Sequence, residues 1–219
     1  TFFKFFDEDG ILRESYTDDE LVFHGLFENL TGVNTIIIDR PITLISDNAV
    51  LNNIAISIID DGVKLSGFTF NADHVEFNAN GGAGVYVSGA DVEIDDVIVN
   101  YDAPGEVEAI AVYANAADNF ALTNSEISFV STNPGNKHNY GLKVRNSETA
   151  VIDNNIISAI LPAVDVAYGS GEGIDLDLVL AVGIQGGRDI NFTNNRVDVG
   201  TNGGIGYYPT IDSVMVHST

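Results

Sequence analysis

The chain has 219 residues, 45% of them hydrophobic, with no Cys, and 32 Asp and Glu against 9 Lys and Arg give a net charge of −23. That apolar content supports a core and excludes a disordered chain, while the lack of cysteine excludes disulfides and thiolate metal sites. The acidity excludes the basic footprint of nucleic-acid or anionic-lipid binding, and no run of about 18 apolar residues is present to form a spanning helix.

At the start, Phe2, Phe3, Phe5 and Phe6 precede the turn signal Asp7-Glu8-Asp9-Gly10. Glu20–Phe27 reads as a short strand or a single amphipathic turn. Neither follows the pattern of the remaining chain, so residues 1–32 are expected to form an N-terminal cap and residues 33–219 the repetitive body.

From Ile36 onward one frame recurs: an alternating apolar pair, a polar corner carrying Asn, Asp or Gly, and a second alternating pair. Val92, Ile94, Asp95, Asp96, Val99 and Tyr101 match Phe120, Leu122, Thr123, Asn124, Ile127 and Phe129 in this way. The residues before each corner are Leu44, Leu65, Ile94, Leu122, Ile152 and Phe192, with separations of 21, 29, 28, 30 and 40. Period-two alternation marks a strand, and a short polar corner turns the strand without ending it. A unit of about 20–30 residues with loop insertions is the signature of a stacked β-solenoid. The expected fold is all-β: a single-domain right-handed parallel β-helix with an N-terminal cap, its handedness set by the rule for parallel crossovers.

Stacking predicts columns. Leu65, Ile94, Leu122, Ile152 and Phe192 should form one inward column, and Phe70, Tyr101, Phe129, Ala159 and Val199 another. Asp96, Asn124, Asn154 and Asn194 should line up at a corner, where side-chain amides satisfy the turning backbone. Alternation continues through Ile211, Val214 and Val216 with no closing segment, so further repeats of the same chain are expected beyond Thr219. The start at Thr1 without a signal peptide agrees with a segment of a longer product.

Phe5-Phe6-Asp7-Glu8-Asp9-Gly10, Glu20-Leu21-Val22-Phe23-His24-Gly25, Asp39-Arg40-Pro41-Ile42-Thr43-Leu44 and Val63-Lys64-Leu65-Ser66-Gly67-Phe68-Thr69-Phe70 together carry a family likeness. In these segments the chain resembles the adhesin-like surface proteins of methanogenic archaea. The resemblance implies a right-handed parallel β-helix in a large repetitive cell-surface protein, extracellular display and attachment to a partner cell or matrix. It carries over no catalytic residue.

A second strand opens each repeat: Val85-Tyr86-Val87, Val112-Tyr113-Ala114, Leu142-Lys143-Val144 and Val182-Gly183-Ile184. With the flanking residues inward, Tyr86, Tyr113, Lys143 and Gly183 face out in one column, about 4.8 Å apart. Ser88, Asn115, Arg145 and Gln185 run beside it. Aromatic faces beside amide and cationic donors suit sugar rings, so Tyr86, Tyr113, Asn115, Lys143, Arg145 and Gln185 are the candidate ligand-binding residues, for a glycan or a protein partner. Exposed strands also favour Tyr for packing alone, and a rigid spacer without a ligand is the plainer reading.

No cofactor is required. Asp165, Glu172, Asp175 and Asp177 in the 160–179 insertion could hold Ca²⁺, although their spacing is not that of an EF-hand. The rival function is a polysaccharide lyase or glycoside hydrolase on surface polysaccharides. Lyase chemistry would use Lys143 or Arg145 near Asp102, Glu106 or Glu108, and hydrolysis would fall to Asp95 and Asp96. Asp96 occupies the corner column, however, and no residue set matches a catalytic motif. Asn29-Leu30-Thr31 and Asn191-Phe192-Thr193 match the glycosylation acceptor pattern.

Overall fold

The computed structural model describes residues 5–28, 34–77, 80–104, 108–131, 139–160, 179–199 and 205–208. These are all-β, without a helix. Three strands open the chain: β1 (Glu20–Phe27), β2 (Thr35–Ile38) and β3 (Thr43–Asn52). Five triplets follow. They are β4 (Ala55–Ile58), β5 (Lys64–Ser66) and β6 (Thr69–Asp73); then β7 (Ala83–Val87), β8 (Glu93–Asp95) and β9 (Ile98–Ala103). The third is β10 (Ala109–Asn115), β11 (Ala121–Thr123) and β12 (Glu126–Ser131), and the fourth β13 (Asn139–Arg145), β14 (Val151–Asp153) and β15 (Ile156–Ile160). The fifth is β16 (Val179–Gln185), β17 (Asn191–Thr193) and β18 (Arg196–Val199), and β19 (Ile205–Tyr208) comes last.

Each strand pairs in parallel with its equivalent in the next triplet. One sheet runs β2-β4-β7-β10-β13-β16-β19. The larger sheet has β3 at its centre, because the first half of this long strand pairs with β5 and its second half with β6. From there β8, β11, β14 and β17 extend one arm and β9, β12, β15 and β18 the other.

The middle strand of each triplet is three residues long with only its centre buried. Those centres are the expected column. Leu44, Leu65, Ile94, Leu122, Ile152 and Phe192 are successive ladder partners. Burying each such side chain contributes roughly 1.5–3 kcal/mol before conformational entropy is set against it. The column starts earlier than expected. β1 lies parallel to β3 with Leu21 opposite Leu44, so residues 20–27 form a further layer of the same sheet.

The second expected column needs one correction. Tyr101, Phe129, Ala159 and Val199 are partners, but Phe70 pairs with Val99, and Ala72 is the partner of Tyr101. The step from Leu65 to Ile94 is 29 residues, and the same step from Phe70 reaches Val99. Val199, at the end of its column, is exposed. The phenol of buried Tyr101 donates to the carbonyls of Gly82 and Val75, at 3.2 and 3.3 Å. Burial, the larger effect, raises the Tyr101 pKa, so the phenol stays protonated.

The corners obey the turn chemistry. Asp96, Asn124, Asn154 and Asn194 all have φ between 52° and 56°, and Gly67 fills the same position with φ 75°. Asn and Gly tolerate this left-handed region best. The side chains link vertically: Asn154 Nδ2 donates to Asn124 Oδ1 at 2.7 Å, and Asn124 Nδ2 to Asp95 Oδ1 at 2.6 Å. Inside the corner, buried Asn155 accepts from the Ser125 amide and donates to the Leu122 carbonyl, both at 2.9 Å.

Candidate functional site

The smaller sheet brings the predicted strip together. Tyr86 pairs with Tyr113, Tyr113 with Lys143 and Lys143 with Gly183. Asn115, Arg145 and Gln185 form the adjacent line. Within it Asn115 Nδ2 donates to Tyr86 Oη at 3.3 Å.

The strip is less open than simple alternation predicts. Tyr113 and Lys143 are only 8% and 9% exposed, while Tyr86, Asn115 and Gln185 are half-buried and Arg145 is exposed. The cause is a break in alternation. In β10, Ala111 and Val112 both belong to the main core, whereas Ile110 and Tyr113 lie in a second apolar cluster with Ala83 and Tyr140. Outward positions therefore fall three residues apart, and two rows pack over one another. Tyr86 and Tyr113 meet edge to face at 5.5 Å.

Tyr140 is the member that sequence reasoning missed. A Cβ on Gly183 would stand 2.5 Å from its ring, so the ring lies directly over the glycine. The Lys143 ammonium sits 4.6 Å from the Tyr140 centroid and 5.1 Å from that of Tyr113. Burial, then the neighbouring Arg145 charge, lower the Lys143 pKa, and Glu108 acts in the opposite sense. A usable signal was the small residue in second place of Ala83-Gly84-Val85, Ile110-Ala111-Val112 and Tyr140-Gly141-Leu142. Gly84 and Gly141 face the carbonyls of Ala111 and Ala181 too closely for a larger side chain to fit easily.

Outside the strip, Asp73, His74 and Asp102 bring one ligand atom each within 4.8 Å of one another, a donor set that could hold a divalent cation. Asp102 Oδ1 is shielded from solvent and accepts no hydrogen bond. Asp95 and Asp96 do not form a catalytic pair in the corner: Asp95 Oδ1 accepts from Thr123 Oγ1 and Asn124 Nδ2, both at 2.6 Å, and Asp96 takes the left-handed position. Asn191 is exposed, and Thr193 of the same acceptor tripeptide bonds Asp153. The proposed calcium ligands Asp165, Glu172, Asp175 and Asp177, together with Glu106, Asn29 and the Ile211–Val216 alternation, lie outside the described residues.

Compared with known protein families, curated proteins and solved structures, the chain matches none.

Proposed function

We propose that this chain is an extracellular, cell-surface attachment module whose smaller sheet presents a ligand-binding strip. Its architecture is a right-handed parallel β-helix, a reading supported by five strand triplets, each in register with the next. The observation that carries the function is the convergence, in two adjacent lines, of Tyr86, Tyr113 and Lys143 with Asn115, Arg145 and Gln185. Ring faces, amides and cations on a rigid sheet are the groups that hold a saccharide, and a rigid strip loses little entropy on binding. The partner is a glycan of another cell or matrix.

The test is a glycan array and a cell-binding assay with the purified chain. Tyr86→Ala and Arg145→Ala together should reduce binding at least tenfold without changing the circular dichroism spectrum. Unchanged binding by a folded double variant would leave the strip without a role.

One observation favours polysaccharide cleavage as a second reading. Lys143 lies beside Arg145 on the strip, and burial, then that charge, hold its amine below its ordinary pKa, the direction a base needs. Reaching a substrate would require it to leave its place between the Tyr113 and Tyr140 rings. Release of unsaturated sugars from an acidic polysaccharide, lost in Lys143→Met, would identify a lyase.

A further inference from the structure

Among the described residues, four Lys and Arg side chains lie at salt-bridge distance from a carboxylate. Arg40 lies against Asp39, Lys64 against Glu93, Arg188 against Glu148 and Arg196 against Asp198. Lys143 and Arg145 differ: among the described residues neither has a carboxylate at salt-bridge distance. In a molecule of net charge −23 carboxylates are abundant, yet among the described residues Lys143 feels only the more distant charge of Glu108, and Arg145 has no carboxylate at salt-bridge distance. Like charges set side by side in a partly buried place are unfavourable unless something negative completes them.

We infer that the strip takes an acidic glycan, with a uronate carboxylate on the Arg145 guanidinium, Asn115 and Gln185 bonding adjacent hydroxyls, and the Tyr86 ring under a sugar face. This rests on the strip reading above and names its ligand class. Arg145 is the contact residue, because it is exposed and its planar fork matches a carboxylate with two parallel bonds. Asn115 and Gln185 stand one ladder step to either side of it. Lys143 lies beneath, buried between two tyrosine rings, and supplies positive potential without direct contact. Burial opposes its charged form, so an anion bound above it would favour protonation of the amine. An acidic peptide could also bond the two amides through its backbone, but its carboxylate side chains offer nothing to the Tyr86 ring face, so the saccharide is the better fit.

Calorimetry of the whole chain with a glucuronate-containing oligosaccharide and its carboxyl-reduced counterpart provides the test. A polyglutamate peptide forms a third arm. The acidic sugar should bind at least tenfold more tightly than the reduced one, and polyglutamate should not bind. Arg145→Ala should abolish that preference and Arg145→Lys should restore part of it. Lys143→Met, which conserves volume in the aromatic cluster, should weaken the acidic sugar while sparing the reduced one. Equal affinity for both sugars overturns the acidic-ligand inference and keeps the strip. Acidic-sugar binding indifferent to Arg145→Ala places the anion elsewhere and also overturns it. Binding of polyglutamate as tightly as the uronate replaces the glycan by a protein partner. No binding of any probe by the folded chain removes both the inference and the strip.

Discussion

Gly183 and Tyr140 show how much one residue can decide in the strip. A methyl group at 183 would meet the Tyr140 ring at 2.5 Å, and the ring in turn holds one side of Lys143. Gly183→Ala should therefore destabilise the chain by about 1–3 kcal/mol, the usual cost of overpacking. In the Tyr140→Ala background the same change should cost far less. Denaturant unfolding of the two single variants and the double variant gives the coupling, and simple additivity would rule out the contact. The Tyr86, Tyr113, Lys143 and Gly183 register was legible, because Tyr86, Tyr113 and Lys143 each sit between apolar neighbours. Tyr140 was not, since a period of two places it on the same side as Leu142. Instead Leu142 lies in the main core and Tyr140 in the second cluster, with Gly141 between them at a place where a Cβ would stand 2.7 Å from the Ala181 carbonyl.

At the scale of the element, the corner does most to keep neighbouring strands in step. Asp153 Oδ1 accepts from Thr193 Oγ1 at 2.6 Å and Asn194 Nδ2 at 2.8 Å, joining β14 to β17. The Thr193 bond, followed by that from Asn194, holds the Asp153 carboxyl below its ordinary 3.8. A carboxyl whose pKa falls on folding stabilises the fold fully above its unfolded value, and the contribution is lost as pH drops through the folded one. Asp153→Asn keeps an acceptor but cannot titrate. Wild type should thus exceed the variant in unfolding midpoint at about pH 6, and the difference should vanish or reverse at about pH 2. A difference constant with pH would mean that the bonds do not depend on the charge. These corners were readable because Asn, Asp and Gly are the residues that adopt positive φ readily. Ala116 and Thr149 adopt it too, at 52° and 56°, where side-chain type gives no warning. Amide bonds to the next strand layer, from Ala116 to the Arg145 carbonyl and from Thr149 to that of Arg188, hold them there. A strand at Glu20–Phe27 was one of the two readings of that segment. Its place as a layer beside β3 was not legible, because Val22-Phe23-His24-Gly25 does not repeat the short polar corner of the later repeats.

For the whole molecule, the excess of negative charge is set against a core that runs continuously beneath both sheets. The ion pairs Lys64–Glu93, Arg188–Glu148 and Arg196–Asp198 are all solvent-exposed, and such pairs add little. Repulsion among the remaining carboxylates acts over a longer range and opposes the compact state. Raising NaCl from about 0.01 M to about 0.15 M shortens the Debye length from about 30 Å to about 8 Å. Screening then weakens the distant repulsions more than the short pairs, so the unfolding temperature should rise with salt. A chain stabilised mainly by its surface pairs would do the opposite, which makes the sign of the change decisive. Repeating the titration with CaCl₂ at matched ionic strength separates screening from binding. Equal shifts mean that charge density alone is being relieved, whereas a larger shift with calcium that Asp102→Asn removes would place the cation at Asp73, His74 and Asp102.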